Sequence, residues 1–217
     1  WLYSRAMFPI GEFLKPITWN SLQDVDAHRK IIFEAIVKYR KMKNQGVVAV
    51  FKRDRFDRYS NFARIGDGSL GGKGRGLAFI DNMVKHHPEF DEFENARVAI
   101  PKTVVLCTDV FDEFMETNNL YQIALSDADD DVILRYFLKG VYASVYFRDS
   151  KAYMQATSNV IDQEKMAVIL QEVVGNQYGD RYYPSMSGVA RSLNYYPIGD
   201  EKAEEGIVNL ALGLGKY

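Results

Sequence analysis

Apolar residues recur along this chain at two spacings, separated by stretches rich in glycine, proline and aspartate. Helical spacing places Ile32, Ala35, Ile36 and Tyr39 on one face of a helix capped by Ser21 or Asp24, running to about Asn44 and stopped at Gly46. The same spacing puts Leu77, Ile80, Met83 and Val84 on a helix from Leu77 to His87, ended by Pro88. Thr108 is placed to cap a helix through Phe111, Phe114 and Met115. Strand patterns cover Val47 to Phe51, Val98 to Leu106 with Pro101 near its start, and Met166 to Val174. After these, Gly175 to Asp180 is turn material before Arg181 to Pro184 and Gly188 to Ala190, a hairpin followed by another strand at Ile207 to Leu212. The stretch from Trp1 to Trp19 is aromatic-rich and broken by Pro9 and Pro16, which predicts an irregular segment or short helix.

The most concentrated signal lies between the strand at Val47 and the helix at Leu77. Gly66-Asp67-Gly68-Ser69-Leu70-Gly71-Gly72-Lys73-Gly74-Arg75-Gly76 holds six of the chain's 16 glycines. Such a run lets backbone N–H groups approach a ligand, and a helix beginning just after it adds unpaired donors and a positive dipole end. Lys73 and Arg75 add full charges at the same place, so the stretch predicts a phosphate cradle; the plainer alternative is a mobile surface loop.

Three glycine signatures fit it poorly. Gly66, Gly68 and Gly71 satisfy G-x-G-x-x-G, but the pattern shows no long apolar strand before them and no β-α-β unit after, which weighs against a dinucleotide site. A Walker A loop needs glycine at Asp67 and serine or threonine at Gly74, and a protein-kinase loop needs valine at Lys73.

The remaining clusters read as structural. Lys52 to Arg58 is a solvated charged turn, with a second anion site as the alternative. Ser126, Asp127, Asp129, Asp130 and Asp131 open a helix, carboxylates in a first turn complementing its dipole, in preference to a calcium loop. His28, His86 and His87 are read as structural. The formal charge of −2 and pI near 6.0 argue against nucleic acid and anionic membrane surfaces, and no run reaches the ~18 apolar residues of a span. One cysteine, Cys107, excludes an intrachain disulfide and is compatible with the cytoplasm.

Several motifs together resemble the nucleotide-binding domain of phosphoenolpyruvate synthases and pyruvate phosphate dikinases. Leu70-Gly71-Gly72-Lys73-Gly74-Arg75-Gly76-Leu77-Ala78 is similar to that family's opening glycine-lysine signature. It is followed in the family's order by Ile100 to Thr108, Val141 to Tyr146, Met166 to Val174, Ser187-Gly188-Val189-Ala190 and Gly213-Leu214-Gly215.

The resemblance implies an α+β fold of the ATP-grasp kind, two lobes gripping ATP, over residues 66–217, with residues 1–65 as an N-terminal helical and aromatic extension. It implies ATP as ligand with Gly71, Gly72, Lys73, Gly74 and Arg75 at the phosphates, Lys73 nearest to catalysis, and Gln171, Glu172 and Val174 at adenine through the backbone of the last two. Magnesium would accompany ATP, its ligands lying outside these residues. Phosphate would pass to a histidine on a separate domain of a longer cytoplasmic chain, then to pyruvate or another acceptor; a homodimer is allowed. Departures from the family pattern are Arg191 to Pro197, Lys216, and an arginine-bearing segment expected at Leu138-Lys139 and not found there. They give weight to an alternative, a non-catalytic nucleotide-sensing or interaction module that retains the fold.

Overall fold

The computed structural model describes residues 2–17, 25–44, 46–54, 57, 59–92, 97–136, 140–157 and 164–215. The chain divides into two compact units, one ending at Gln171 and one beginning at Glu172. Helices and strands are mixed in an α+β arrangement. The expected helix cap at Ser21 or Asp24, Trp1 and Trp19, the junction at Leu138-Lys139, and Lys216 fall outside the described residues.

The first unit is built on a four-stranded sheet ordered β1 (Ala49–Val50), β2 (Phe62–Ile65), β3 (Thr103–Leu106) and β4 (Val168–Gln171). The first two pairings are parallel and the last antiparallel, with Phe62 opposite Thr103 and Thr103 opposite Gln171. β3 is interior; its β-branched Thr-Val-Val run buries Thr103 and Val105 on one face. The expected strands at Val98–Leu106 and Met166–Val174 are both cut to four residues. Pro101 has no N–H to carry the ladder past Thr103, so β3 and β4 stop together there.

Two helices precede the sheet, α1 (Phe8–Leu14) with Pro9 in its first turn, and α2 (Val25–Asn44). Of the apolar face expected on α2 only Ala35 is buried, and Ile32 and Ile36 are exposed. Gly46 follows the helix at φ 73°, a conformation costly for other residues, and its N–H donates to the buried carboxylate of Asp81 at 2.7 Å. Lys52, Arg53 and Asp54 of the charged turn are exposed, as expected, and Asp57 is half-buried. Asp57 accepts from Arg40 at 2.9 and 3.1 Å, from the Asn44 amide at 2.9 Å and from the Tyr59 N–H at 2.9 Å. Burial pushes its carboxyl up, but these donors, Tyr59 foremost, hold it below the ordinary aspartate value.

β2 and β3 are joined by α3 (Gly71–His86), so the glycine stretch sits inside a parallel β-α-β unit. This corrects the expectation that no such unit surrounds it: β2 is only four residues long and too short to stand out as an apolar run. After β3 come α4 (Thr108–Thr117), α5 (Tyr121–Ala124), α6 (Asp130–Tyr136), α7 (Gly140–Ala143) and α8 (Arg148–Gln155). Phe111 and Met115 of α4 pack with Leu120, Ala124, Ile133, Tyr142, Ala143 and Tyr146 into the main core, each large side chain contributing about 1.5–3 kcal/mol by leaving water.

The second unit contains the hairpin β5 (Asn176–Tyr178) and β6 (Arg181–Tyr183), turning at Gly179-Asp180, and the antiparallel pair β7 (Met186–Arg191) and β8 (Ile207–Leu212). β8 lies where the alternation placed it, but the hairpin is tighter than expected: Asn176–Tyr178, read as turn material, is itself a strand, and Val168–Gln171 pairs with β3 instead of with the hairpin.

Candidate functional site

Between β2 and α3 the chain makes a bend that is tied to the start of α4. The Asp67 N–H donates to Asp109 Oδ2 at 2.6 Å, and the Ser69 N–H donates to Thr108 Oγ1 at 3.0 Å while the Thr108 N–H returns a bond to the Ser69 carbonyl at 3.0 Å. Arg64 at the end of β2 reaches the Gly66 carbonyl at 3.2 Å and pairs with Asp67 at 3.3 Å. Thr108 therefore caps the bend; the residue at the N-cap of α4 is Cys107.

The glycines of this stretch have different duties. A Cβ on Gly66 would lie 2.4 Å from Asp109 Oδ1, and one on Gly68 would lie 2.7 Å from the Asp109 backbone nitrogen and the Thr108 hydroxyl. These two let the bend pack on α4. A Cβ on Gly74 would meet Leu70 at 3.1 Å and Val105 at 3.6 Å, so Gly74 lets α3 lie close on β3. Gly72 and Gly76 face open space. Exchange of Gly68 for alanine is expected to destabilise by about 1–3 kcal/mol, the usual cost of overpacking, whereas Gly72→Ala should leave stability unchanged or slightly raised. Thermal melts of the two variants check this; equal melting temperatures would contradict it.

α3 starts at Gly71, six residues before the expected Leu77, so Gly72 to Gly76 are helical and Gly71, at φ 70°, makes the turn into the helix. Glycine costs a helix about 1 kcal/mol relative to alanine, which is why propensity suggests a loop here. Close packing of Gly74 on Val105 overrides it. The buried stripe is correspondingly Gly74, Asp81 and Val84, while Ile80 and Met83, expected on that face, are 40% and 36% exposed.

Helix starts leave N–H groups without intrahelical acceptors. Gly71 N–H is taken by the Ser69 hydroxyl at 3.2 Å, and those of Gly72 and Lys73 point from the first turn with no acceptor four residues back inside the helix. Lys73 is exposed and makes no ion pair or hydrogen bond with any described residue; Arg75 touches Ser69 Oγ at 3.3 Å and has no carboxylate partner among them. The arrangement offers two N–H donors, two cations and a helix dipole on one open patch, enough to hold a phosphate.

Gln171 ends β4 in the same unit, its side chain donating to Thr103 Oγ1 at 3.1 Å. Glu172 and Val174 open the second unit, both exposed, in a segment whose Gly175 lies against the backbone of Tyr183. Asp130 and Asp131 stand in the first turn of α6, and Asp130 accepts the Arg148 N–H at 2.8 Å. Ser126 caps a turn, bonding the Ile123 carbonyl and receiving the Ala128 N–H, four residues before that helix. His86 contacts the Asn82 carbonyl at 2.8 Å and His87 the Glu89 carboxylate at 2.7 Å, local contacts at the end of α3. Asp109 is the residue that sequence reasoning passed over; a carboxylate directly after a strand, opposite a glycine run, was the available signal.

Fold and site define a mixed α+β chain compatible with a nucleotide-binding domain. Residues 127–217 match the family model of the pyruvate phosphate dikinase AMP/ATP-binding domain, so over that stretch the chain is similar to the family that its motifs resemble. The match takes in α6 to β8, and the glycine stretch stands before it. No curated protein and no solved structure matches the chain. No helix among the described residues is long and apolar enough to cross a membrane.

Proposed function

We propose that this chain is the ATP-binding part of a phosphotransferase of the pyruvate phosphate dikinase kind, with the phosphates of ATP seated at the first turn of α3. The observation that carries this is the open patch of Gly72 and Lys73 N–H groups beside the unpaired Lys73 and Arg75 charges. Phosphoryl transfer is driven mainly by positioning and charge neutralisation, and Lys73 supplies the nearest movable charge. The ATP-grasp fold, the adenine role of Gln171, Glu172 and Val174, a histidine acceptor on a separate domain and pyruvate as final acceptor are supported by the motif resemblance. Among the described residues no group of three His, Cys, Asp or Glu side chains is arranged to hold a metal ion, and magnesium accompanying ATP would draw its ligands from outside them.

A dinucleotide site is the second reading, favoured by the β-α-β unit around Gly66, Gly68 and Gly71. Against it, the Asp67 N–H at the bend is already bonded to Asp109, and Gly68 is pressed on α4, where a pyrophosphate would have to approach. Titration calorimetry with ATP and NAD separates the two. ATP is expected to bind more tightly, and equal or tighter binding of NAD would overturn the ATP assignment.

A further inference from the structure

Two helix starts converge on the glycine bend, those of α3 and α4, and they are filled differently. The α4 start holds a built-in anion: Asp109, in its first turn, turns its carboxylate back onto the bend and takes the Asp67 N–H at 2.6 Å. Asp109 Oδ1 is buried and has no hydrogen-bond partner among the described residues, and it lies only 2.4 Å from where a Cβ on Gly66 would be. A buried, unpaired carboxylate oxygen is costly to a fold. The absence of a side chain at both Gly66 and Gly68 is what admits it. The first turn of α3 holds no acidic residue, and no such internal anion fills it among the described residues.

We propose that Asp109 is the positioning residue of the phosphate seat: by filling the α4 start and clamping the 66–68 bend, it fixes the first turn of α3 and leaves that turn as the place for a ligand's phosphates. This rests on the phosphate seat proposed above. The carboxylate does not touch the ligand. Its action passes through Asp67, the bend and the Ser69–Thr108 pair to Gly71, whose N–H is bonded to the same Ser69. The backbone N–H of Asp67 foremost, with those of Gly68, Asp109 and Val110, holds the Asp109 carboxyl below its ordinary range against the opposing effect of burial, so at neutral pH it is the charged form that clamps.

The test is the ratio of ATP to adenosine affinity, measured by calorimetry on the whole chain as wild type, Lys73→Met, Asp109→Asn and Asp109→Ala, with a melting curve for each. A phosphate-specific effect moves the ratio, whereas a general loss of folded protein weakens both ligands alike. Lys73→Met and Asp109→Ala are each expected to lower the ratio about tenfold, the loss of one charge-assisted contact, and Asp109→Asn, which keeps an acceptor for the Asp67 N–H, less than Asp109→Ala. If Lys73→Met lowers the ratio and both Asp109 variants leave it unchanged, Asp109 is not a positioning residue and the phosphate seat stands. If the wild type shows no preference for ATP, or Lys73→Met has no effect on it, the seat itself is wrong and this role falls with it. Should Asp109→Ala fail to fold, the isosteric Asp109→Asn decides: a ratio equal to wild type overturns the proposal.

Discussion

Replacement of Lys73 by methionine is expected to weaken ATP binding about tenfold or more while the melting temperature stays within a degree or two of wild type. The side chain is exposed and makes no ion pair or hydrogen bond with any described residue, so its removal costs the fold no more than the ~0.5 kcal/mol typical of surface sites. Methionine keeps most of the stem and removes only the charge. A charge-assisted hydrogen bond contributes about 1.5–3 kcal/mol, and 1.4 kcal/mol is a factor of ten in affinity. The position inside the helix matters to this expectation. Because α3 begins at Gly71, Lys73 belongs to the turn in which the Gly72 and Lys73 N–H groups have no acceptor inside the helix, so its ammonium and the helix dipole act on the same anion. In a protein that transfers phosphate the rate should fall further than the affinity, since charge accumulates in the transition state. Calorimetry and a melting curve suffice for the binding claim. A variant that binds ATP like wild type but melts many degrees lower would make Lys73 a structural residue and remove the seat from α3.

The parts of this site that were legible in the sequence are those written in side-chain type, and the parts that were not are written in packing. Six glycines with two cations stand out in any reading of the chain, and the β8 strand has the bounds that its pattern predicts. The start of α3 was misplaced by six residues because glycine has poor helix propensity, while the contact that makes the glycines helical, Gly74 on Val105, joins residues 31 apart in sequence. The β-α-β unit was missed because two of its determinants are short: β2 has four residues, and Pro101 limits β3 to four. Thr108 was given a helix-capping role that its type suits, but the same hydroxyl accepts the Ser69 N–H, a bond between residues 39 apart. The face of α3 was turned because Ile80 and Met83 are apolar by type, whereas the helix buries Asp81, which holds Gly46.

Phe111→Ala is expected to destabilise the first unit by about 3–5 kcal/mol, a large part of the ~5–15 kcal/mol that holds a domain folded. The ring is fully buried, edge-on to Tyr142 at 5.2 Å and stacked on Tyr146 at 6.4 Å. Burial pushes the phenols of both tyrosines up, so neither ionises in the ordinary range and neither can relieve the cavity by taking a charge. The site depends on this contact because of where its partners lie. Phe111 stands two residues after Asp109 on α4, the helix that clamps the glycine bend, while Ile133, Tyr142, Ala143 and Tyr146 come from the stretch that matches the AMP/ATP-binding domain family. One core therefore joins the glycine bend, which the family match does not reach, to the segment that it does. Urea unfolding followed by circular dichroism, together with amide exchange at Asp67 and Gly68, tests that link. The variant should show a lowered midpoint and a parallel loss of protection at the bend. A loss under 1 kcal/mol, or a bend that keeps its protection while the core melts, would mean that the two halves of the site are held by separate cores.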